Sequence, residues 1–270
     1  MIARGMVRKM RTQPTSPVTY HLRLGDELLP VNPRIGRGLT LAFDGEIHCV
    51  HCGRTVKKTF HQGYCYPCFT TLAETDRCLV RPELCHHHLG TCRDPAWGDE
   101  HCMRPHTVYL ANSSGLKVGI TRGREPAGRW IDQGAAQGLS IRVAETRLES
   151  GLVEVALKDH VADKTAWQRI LKGAPDPVDL EAERDRILAE HEAEHPGAAL
   201  AGRHDHEASP VAIEYPVAEY PLKVRSHDLD KEPRLEGTLL GAKGQYLIFD
   251  GAVINVRKYQ GYVLEASFEE

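Results

Sequence analysis

No run of about eighteen apolar residues occurs anywhere in the chain, which excludes a membrane-spanning helix. The opening stretch, residues 1–17, is basic but has no apolar segment of the kind a secretory signal needs, so the expected compartment is the cytoplasm. A dominant sign of charge is missing too. The 270 residues carry 34 Lys+Arg against 37 Asp+Glu, and with 26% charged and 41% hydrophobic residues the composition rules out a chain that is disordered throughout. That length suits one large domain or two to three small ones. The near balance hides an asymmetry. Residues 1–175 carry 24 Lys+Arg and 17 Asp+Glu, whereas residues 176–270 carry 10 and 20. A basic front with an acidic back is expected if the first two thirds meet a polyanion, and equally if the two parts merely differ in solvated surface.

Cysteine is absent outside one short stretch. All eight thiols fall between Cys49 and Cys102. A cytoplasmic chain rarely keeps disulfides, so clustered thiols point to metal. The first four read Cys49-Val-His-Cys52 and, twelve residues later, Cys65-Tyr-Pro-Cys68. Two such turns present two pairs of thiolates and can close a tetrahedral shell around zinc, with Gly53 and Gly63 supplying the tight backbone. The second four, Cys78, Cys85, Cys92 and Cys102, are spaced more loosely and stand among His86, His87, His88, His101 and His106. A second zinc site is expected there, with Cys78, Cys85 and Cys102 as ligands and Cys92, His88 or His106 as the fourth. Four protein ligands per ion leave no open position, so both sites read as structural. A redox role lacks the βαβ setting that such thiol pairs normally have.

The elements follow from period and punctuation. Residues 1–48 form a β segment with strands at Val18–Leu24, Leu28–Val31, Leu39–Phe43 and Glu46–Cys49, separated by Gly25-Asp26, Asn32-Pro33 and Asp44-Gly45. The metal-binding region spans 49–106. Residues 107–173 read as an α/β core: strands Val108–Ala111 and Leu116–Ile120 as a hairpin, a helix from Ala127 or Gly128 to Gln137, and a strand Ser140–Thr146. A helix Glu149–Val161 with Leu148, Leu152 and Val155 on its core face follows, then a short helix Asp163–Leu171. Residues 174–209 are an acidic helix from Asp176 to about Glu194 and a linker. Strands at Ile213–Val217, Tyr220–Val224, Glu236–Leu240, Gln245–Phe249, Val253–Val256 and Tyr262–Ala266 make 210–270 a small antiparallel β-domain that the N-terminal strands can complete. The run Arg257-Lys258-Tyr259 offers charge beside an aromatic, as oligonucleotide-binding barrels do. The fold class is α+β.

Strand, strand, helix, strand, helix in this core is the order of the GIY-YIG nuclease core. Thr107-Val108-Tyr109 stands in place of the first tripeptide and Lys117-Val118-Gly119 in place of the second. Arg129 follows ten residues after Gly119, Gln133 four residues later, and Glu154 lies in the next helix. The segment therefore resembles the GIY-YIG superfamily, in the branch that writes its second motif KIG. The resemblance implies a three-stranded antiparallel sheet with helices and hydrolysis of a phosphodiester with one Mg²⁺ or Mn²⁺. In it Tyr109 would help to activate water, Glu154 would hold the ion, and Arg129 would offset transition-state charge. Lys117 stands where a tyrosine is frequent and would meet phosphate as a point charge; Gln133 stands where many members have histidine. The interval between the tripeptides is short. The whole chain also resembles an uncharacterised bacterial family, a domain of unknown function, through Cys49-Val-His-Cys-Gly-Arg, Gln62-Gly-Tyr-Cys-Tyr-Pro-Cys, Val108-Tyr-Leu-Ala, Lys117-Val-Gly-Ile-Thr-Arg, Arg129-Trp-Ile-Asp-Gln-Gly-Ala and Asp163-Lys-Thr.

Each of these residues also has a plainer reading. Tyr109 can be a packing residue of a strand, Arg129 can pair with Asp132, and Glu154 with Lys158. The expected function is a metal-dependent nuclease with DNA or RNA as partner, one or two structural zinc ions and no membrane association. The alternative is a zinc-stabilised nucleic-acid-binding or adaptor protein without chemistry.

Overall fold

The computed structural model describes residues 2–161 and 166–269. In chain order it contains β1 (Ile2–Gln13), β2 (Thr19–Leu24), β3 (Glu27–Pro30), β4 (Gly38–Ile47), α1 (Tyr66–Thr71), α2 (Pro95–His101), β5 (His106–Asn112), β6 (Leu116–Arg122) and α3 (Ala127–Asp132). There follow β7 (Gln137–Ala144), α4 (Arg147–Lys158), α5 (Trp167–Ile170), α6 (Leu180–Glu194), β8 (Arg203–His204), β9 (Val211–Ala212), β10 (Arg234–Lys243), β11 (Tyr246–Phe249), β12 (Val253–Asn255) and β13 (Tyr262–Phe268). None of these helices is long and apolar enough to cross a membrane. The chain divides into two compact units: residues 1–70, 171–173 and 214–270 form the first, and residues 71–170 and 174–213 the second.

The first unit is an eight-stranded antiparallel sheet in the order β12-β11-β10-β4-β13-β1-β2-β3, so strands from both ends of the chain complete one another. In β2 the buried Tyr20, Leu22 and Leu24 alternate with His21 and Arg23, the period of a half-buried strand. The longest strand, β1, carries no such signal in the sequence. Its register shifts between Arg8 and Arg11, so its buried Val7 and Met10 fall three apart and the alternation is lost. The expected strand Tyr220–Val224 does not form, and of Ile213–Val217 only a lone bridge of Val217 to Gly241 remains, β9 ending just before it at Ala212.

The second unit is built on a five-stranded antiparallel sheet of β5 to β9. Ala136 N–H donates to Asn112 O at 2.7 Å, which sets β7 beside β5. Every residue of β5 is buried, because both faces of this strand are covered. Tyr109 and Ala111 pack on Trp130 and Ala135 at α3, whereas Val108 and Leu110 pack with Val153 and Leu157 of α4 and Leu180 and Ile187 of α6. The helix expected to reach Gln137 stops at Asp132, since the N–H groups of Gly134 and Ala135 fold back onto Ile131 and Trp130. Gln137 already belongs to the next strand, which ends at Ala144 rather than Thr146. Helix α4 begins earlier than expected because Thr146 and Glu149 form a reciprocal cap. Its core face is also turned: Leu152 is 52% exposed, and Ser150, Gly151, Val153 and Leu157 are buried. Helix α6 starts at Leu180, where the Asp179 side chain accepts from two backbone N–H groups, instead of at Asp176. The linker after it contributes β8 to the sheet. The expected helix Asp163–Leu171 begins outside the described residues, and Trp167–Ile170 of it is helical.

Candidate metal and active sites

In the first unit, β4 leads directly into Cys49. The ligand atoms of Cys49, Cys52, Cys65 and Cys68 all lie within 4.8 Å of one another, and Cys52 Sγ is 3.8 Å from Cys65 Sγ. Two tight turns produce this. Gly53 N–H donates to Cys49 O at 3.0 Å, Val50 N–H to Gly63 O at 2.8 Å, and both glycines take positive φ, +73° and +114°. Backbone N–H groups also point at sulfur: Cys65 N–H donates to Cys49 Sγ at 3.2 Å. The backbone N–H of Arg54 is the largest influence on Cys52, whose thiol it pushes down to about 6. Burial and the neighbouring sulfurs push Cys68 up to about 12. Four thiols so close cannot all ionise without a cation among them, and this donor set fits a tetrahedral ion such as zinc. All four sequence-expected ligands meet here.

The second cysteine group lies in the second unit. Cys78, Cys85 and Cys102 are buried together, flanked by Leu79, Trp97, Met103 and Leu148. Cys92 borders the same small cavity as these three but is half-exposed, and its Sγ donates to Asp94 O at 3.3 Å. Asp76, Cys78 and His86 have ligand atoms within 4.8 Å of one another; among the described residues neither His88 nor His106 joins such a group.

Tyr109, Arg129, Gln133 and Glu154 come from β5, from α3 and the residue after it, and from α4. Strand pairing sets Tyr109 opposite Gly119, and a Cβ at Gly119 would stand 2.6 Å from the Tyr109 hydroxyl, so only glycine admits the ring. The Tyr109 hydroxyl donates to Gln133 Oε1 at 3.2 Å, and its ring meets Trp130 edge-on at 6.0 Å. Burial raises the Tyr109 pKa, with Arg129 acting against it. The Glu154 carboxyl is also raised by burial; Arg129 is the largest opposing influence and Glu83 adds to the rise. Among the described residues Glu154 forms no ion pair with Lys158. Lys117 is half-buried opposite Ala111, two residues from Gly119 and so on the Tyr109 face of the sheet. Tyr109 itself is fully buried. Sequence reasoning missed Glu83, on the turn Pro82–Leu84, and Arg147, at the start of α4. Neither stands in a periodic pattern that would single it out.

A family model described as a protein of unknown function, DUF2797, matches residues 36–264. The chain belongs to this family. The matched span covers the tetrad, the second cysteine group and the Tyr109 cluster. No curated protein and no solved structure matches the chain.

Proposed function

We propose that this DUF2797 protein is a divalent-metal-dependent phosphodiesterase acting on nucleic acid, with a GIY-YIG-like site in its second unit and zinc at the cysteine tetrad. The observation that carries the reading is the hydrogen bond of Tyr109 to Gln133 around the one glycine that admits the tyrosine ring, with Arg129 near enough to act on both Tyr109 and Glu154. These residues are far apart in sequence, and ordinary packing of a strand and two helices does not require an acid, a base and a phenol to share one place.

Glu154 is half-buried and makes no ion pair among the described residues, as suits a carboxylate waiting for a ligand. One carboxylate with waters is a weak isolated site, so substrate phosphate would complete it. When bound, Mg²⁺ or Mn²⁺ would polarise the phosphoryl oxygens. Arg129 would neutralise the charge that develops on them, and Lys117 would contact a flanking phosphate as a point charge. Gln133, held by the Tyr109 hydroxyl, would orient the attacking water. A basic cavity of about 350 Å³ in the first unit, lined by Arg8, Lys9 and Arg23, supports contact with a polyanion.

One observation favours a second reading. Tyr109 has no exposed surface, so its hydroxyl does not reach a substrate in this conformation. A non-catalytic nucleic-acid-binding or adaptor protein would keep the fold and lack the chemistry. Incubation with mixed DNA and RNA in Mg²⁺ or Mn²⁺, beside Glu154→Ala, separates the two. Cleavage by the parent that Glu154→Ala abolishes, at unchanged zinc content and circular dichroism, supports the nuclease. A parent that binds nucleic acid and never cuts it supports the adaptor. A Glu154→Ala variant that cuts as fast as the parent removes this residue from the mechanism.

A further inference from the structure

Three thiols of the second cysteine group arrive from three separate short elements. Cys78 lies in the turn Arg77–Leu79, Cys85 directly follows the turn Pro82–Leu84, and Cys102 caps the C-terminus of α2. Their exposures are 7%, 5% and 4%. The Cys85 thiol lies between those of Cys78 and Cys102, near enough that it perturbs the ionisation of both. Buried cysteines often serve as small apolar residues, and the flanking Trp97 and Met103 agree with that. The polar groups do not. His86 Nδ1 is 2.8 Å from the Thr91 hydroxyl, which leaves Nε2, 3.6 Å from Asp76 Oδ2, for another partner, and a ring nitrogen of His86 lies within 4.8 Å of the Cys78 sulfur. Asp76 is already engaged by Arg93 at 2.8 Å. Cys78, Cys85, Cys102 and His86 also line one small cavity of about 10 Å³, room for a single ion-sized sphere; Cys92 borders it too, but its thiol is turned to the Asp94 carbonyl.

We propose that Cys78, Cys85, Cys102 and His86 form a second zinc site, separate from the tetrad, that fixes the platform on which α4 is seated. Thr91 orients His86 from behind, as a hydrogen-bond partner does for metal-bound imidazole. Four protein ligands close the shell, so the ion is structural. The first turns of α4 are anchored on this platform. Arg147 Nε donates to Cys78 O at 3.2 Å and Nη2 to Leu79 O at 2.6 Å; Arg147 N–H donates to Cys102 O at 2.9 Å. Gly151 lies against the backbone of Pro82 and Glu83. Loss of the ion therefore loosens the helix that carries Glu154; the consequence for cleavage rests on the nuclease reading, while the metal content does not.

The test uses the full-length reduced protein. Elemental analysis is expected to find about two zinc ions per chain. Alkylation before and after chelation, mapped by mass spectrometry, is expected to find Cys78, Cys85 and Cys102 protected until the chelator is added and Cys92 labelled from the start. His86→Ala should lose one ion and Cys92→Ser none, and Thr91→Val should weaken one site roughly tenfold in chelator competition. A disulfide among the three cysteines, one zinc per chain in metal-replete protein, or protection of Cys92 with an inert His86→Ala would each overturn the assignment. The alkylation map is read on the parent, so the outcome stands even where a variant fails to fold.

Discussion

His106, at the start of β5, is the residue where burial and charge conflict most openly. It has no exposed surface. Its Nδ1 lies 2.7 Å from Arg104 O and therefore carries the proton, while Nε2 has no partner. Burial is the largest influence, the Arg104 carbonyl works against it, and Arg147, Arg122 and Arg104 add to it, so the pKa is pushed down to about 4. The unfolded chain, with an ordinary imidazole near 6.5, then binds more protons than the folded one between these two values. Stability from this group is fully present above pH 6.5 and declines as the pH falls towards 4, by on the order of 3 kcal/mol. Urea unfolding at a series of pH values should give a flatter profile for His106→Asn, whose amide keeps the donor to Arg104. Equal slopes for variant and parent would show that His106 titrates normally.

At the scale of the element, α4 and α3 give opposite expectations for the same substitution. Replacing a helical glycine by alanine stabilises an exposed helix by up to about 1 kcal/mol. At Gly128 of α3 nothing lies within 4 Å of the added carbon, so Gly128→Ala should raise the melting temperature or leave it unchanged. At Gly151 the carbon would stand 2.4 Å from Glu83 N and 2.5 Å from Pro82 C, both backbone atoms that cannot swing aside. Overpacking of this kind costs about 1–3 kcal/mol and outweighs the propensity gain, so Gly151→Ala should lower the melting temperature. If both variants moved the same way, the close seat of α4 would be wrong. The same helix explains what its sequence conceals. Its apolar residues alone suggest a face through Leu148, Leu152 and Val155, but the buried face runs through Ser150, Gly151, Val153 and Leu157, and its first two members carry no hydrophobic signal. By contrast β2 and β5 were legible, one by alternation and the other by a continuous apolar run. The tetrad was legible because each pair of ligands is local. The second cysteine group was legible only as thiols: His86 becomes a candidate through Thr91 and Asp76, which no spacing rule connects.

For the whole molecule, the sheet of the first unit binds the two ends of the chain together. Strand β1 pairs with β13 from Ile2↔Ser267 to Met6↔Val263 and with β2 from Val7↔Leu24 to Gln13↔Thr19. It is an interior strand, so its removal does not trim an edge; it separates β2 and β3 from the other five strands. The basic opening stretch, which alone could pass for a dispensable tail, is on this argument part of the core. Val7 and Met10 are buried, each contributing about 1.5–3 kcal/mol, and Met10 N–H donates to the buried Gln245 side chain at 2.9 Å. Val7 O also accepts from Gly261 N–H, and Gly261 O from His48 N–H, one residue before the tetrad. Deleting residues 1–13 should therefore unfold the first unit and release the metal held by Cys49, Cys52, Cys65 and Cys68. The second unit draws none of its strands from this region and should keep its own amide protection. Hydrogen exchange read by mass spectrometry checks both halves of the expectation: protection is lost in β2, β4, β10 and β13 and retained in β5 and β7. Retained protection in β4 and β13 after the deletion would mean that the sheet closes without its longest strand.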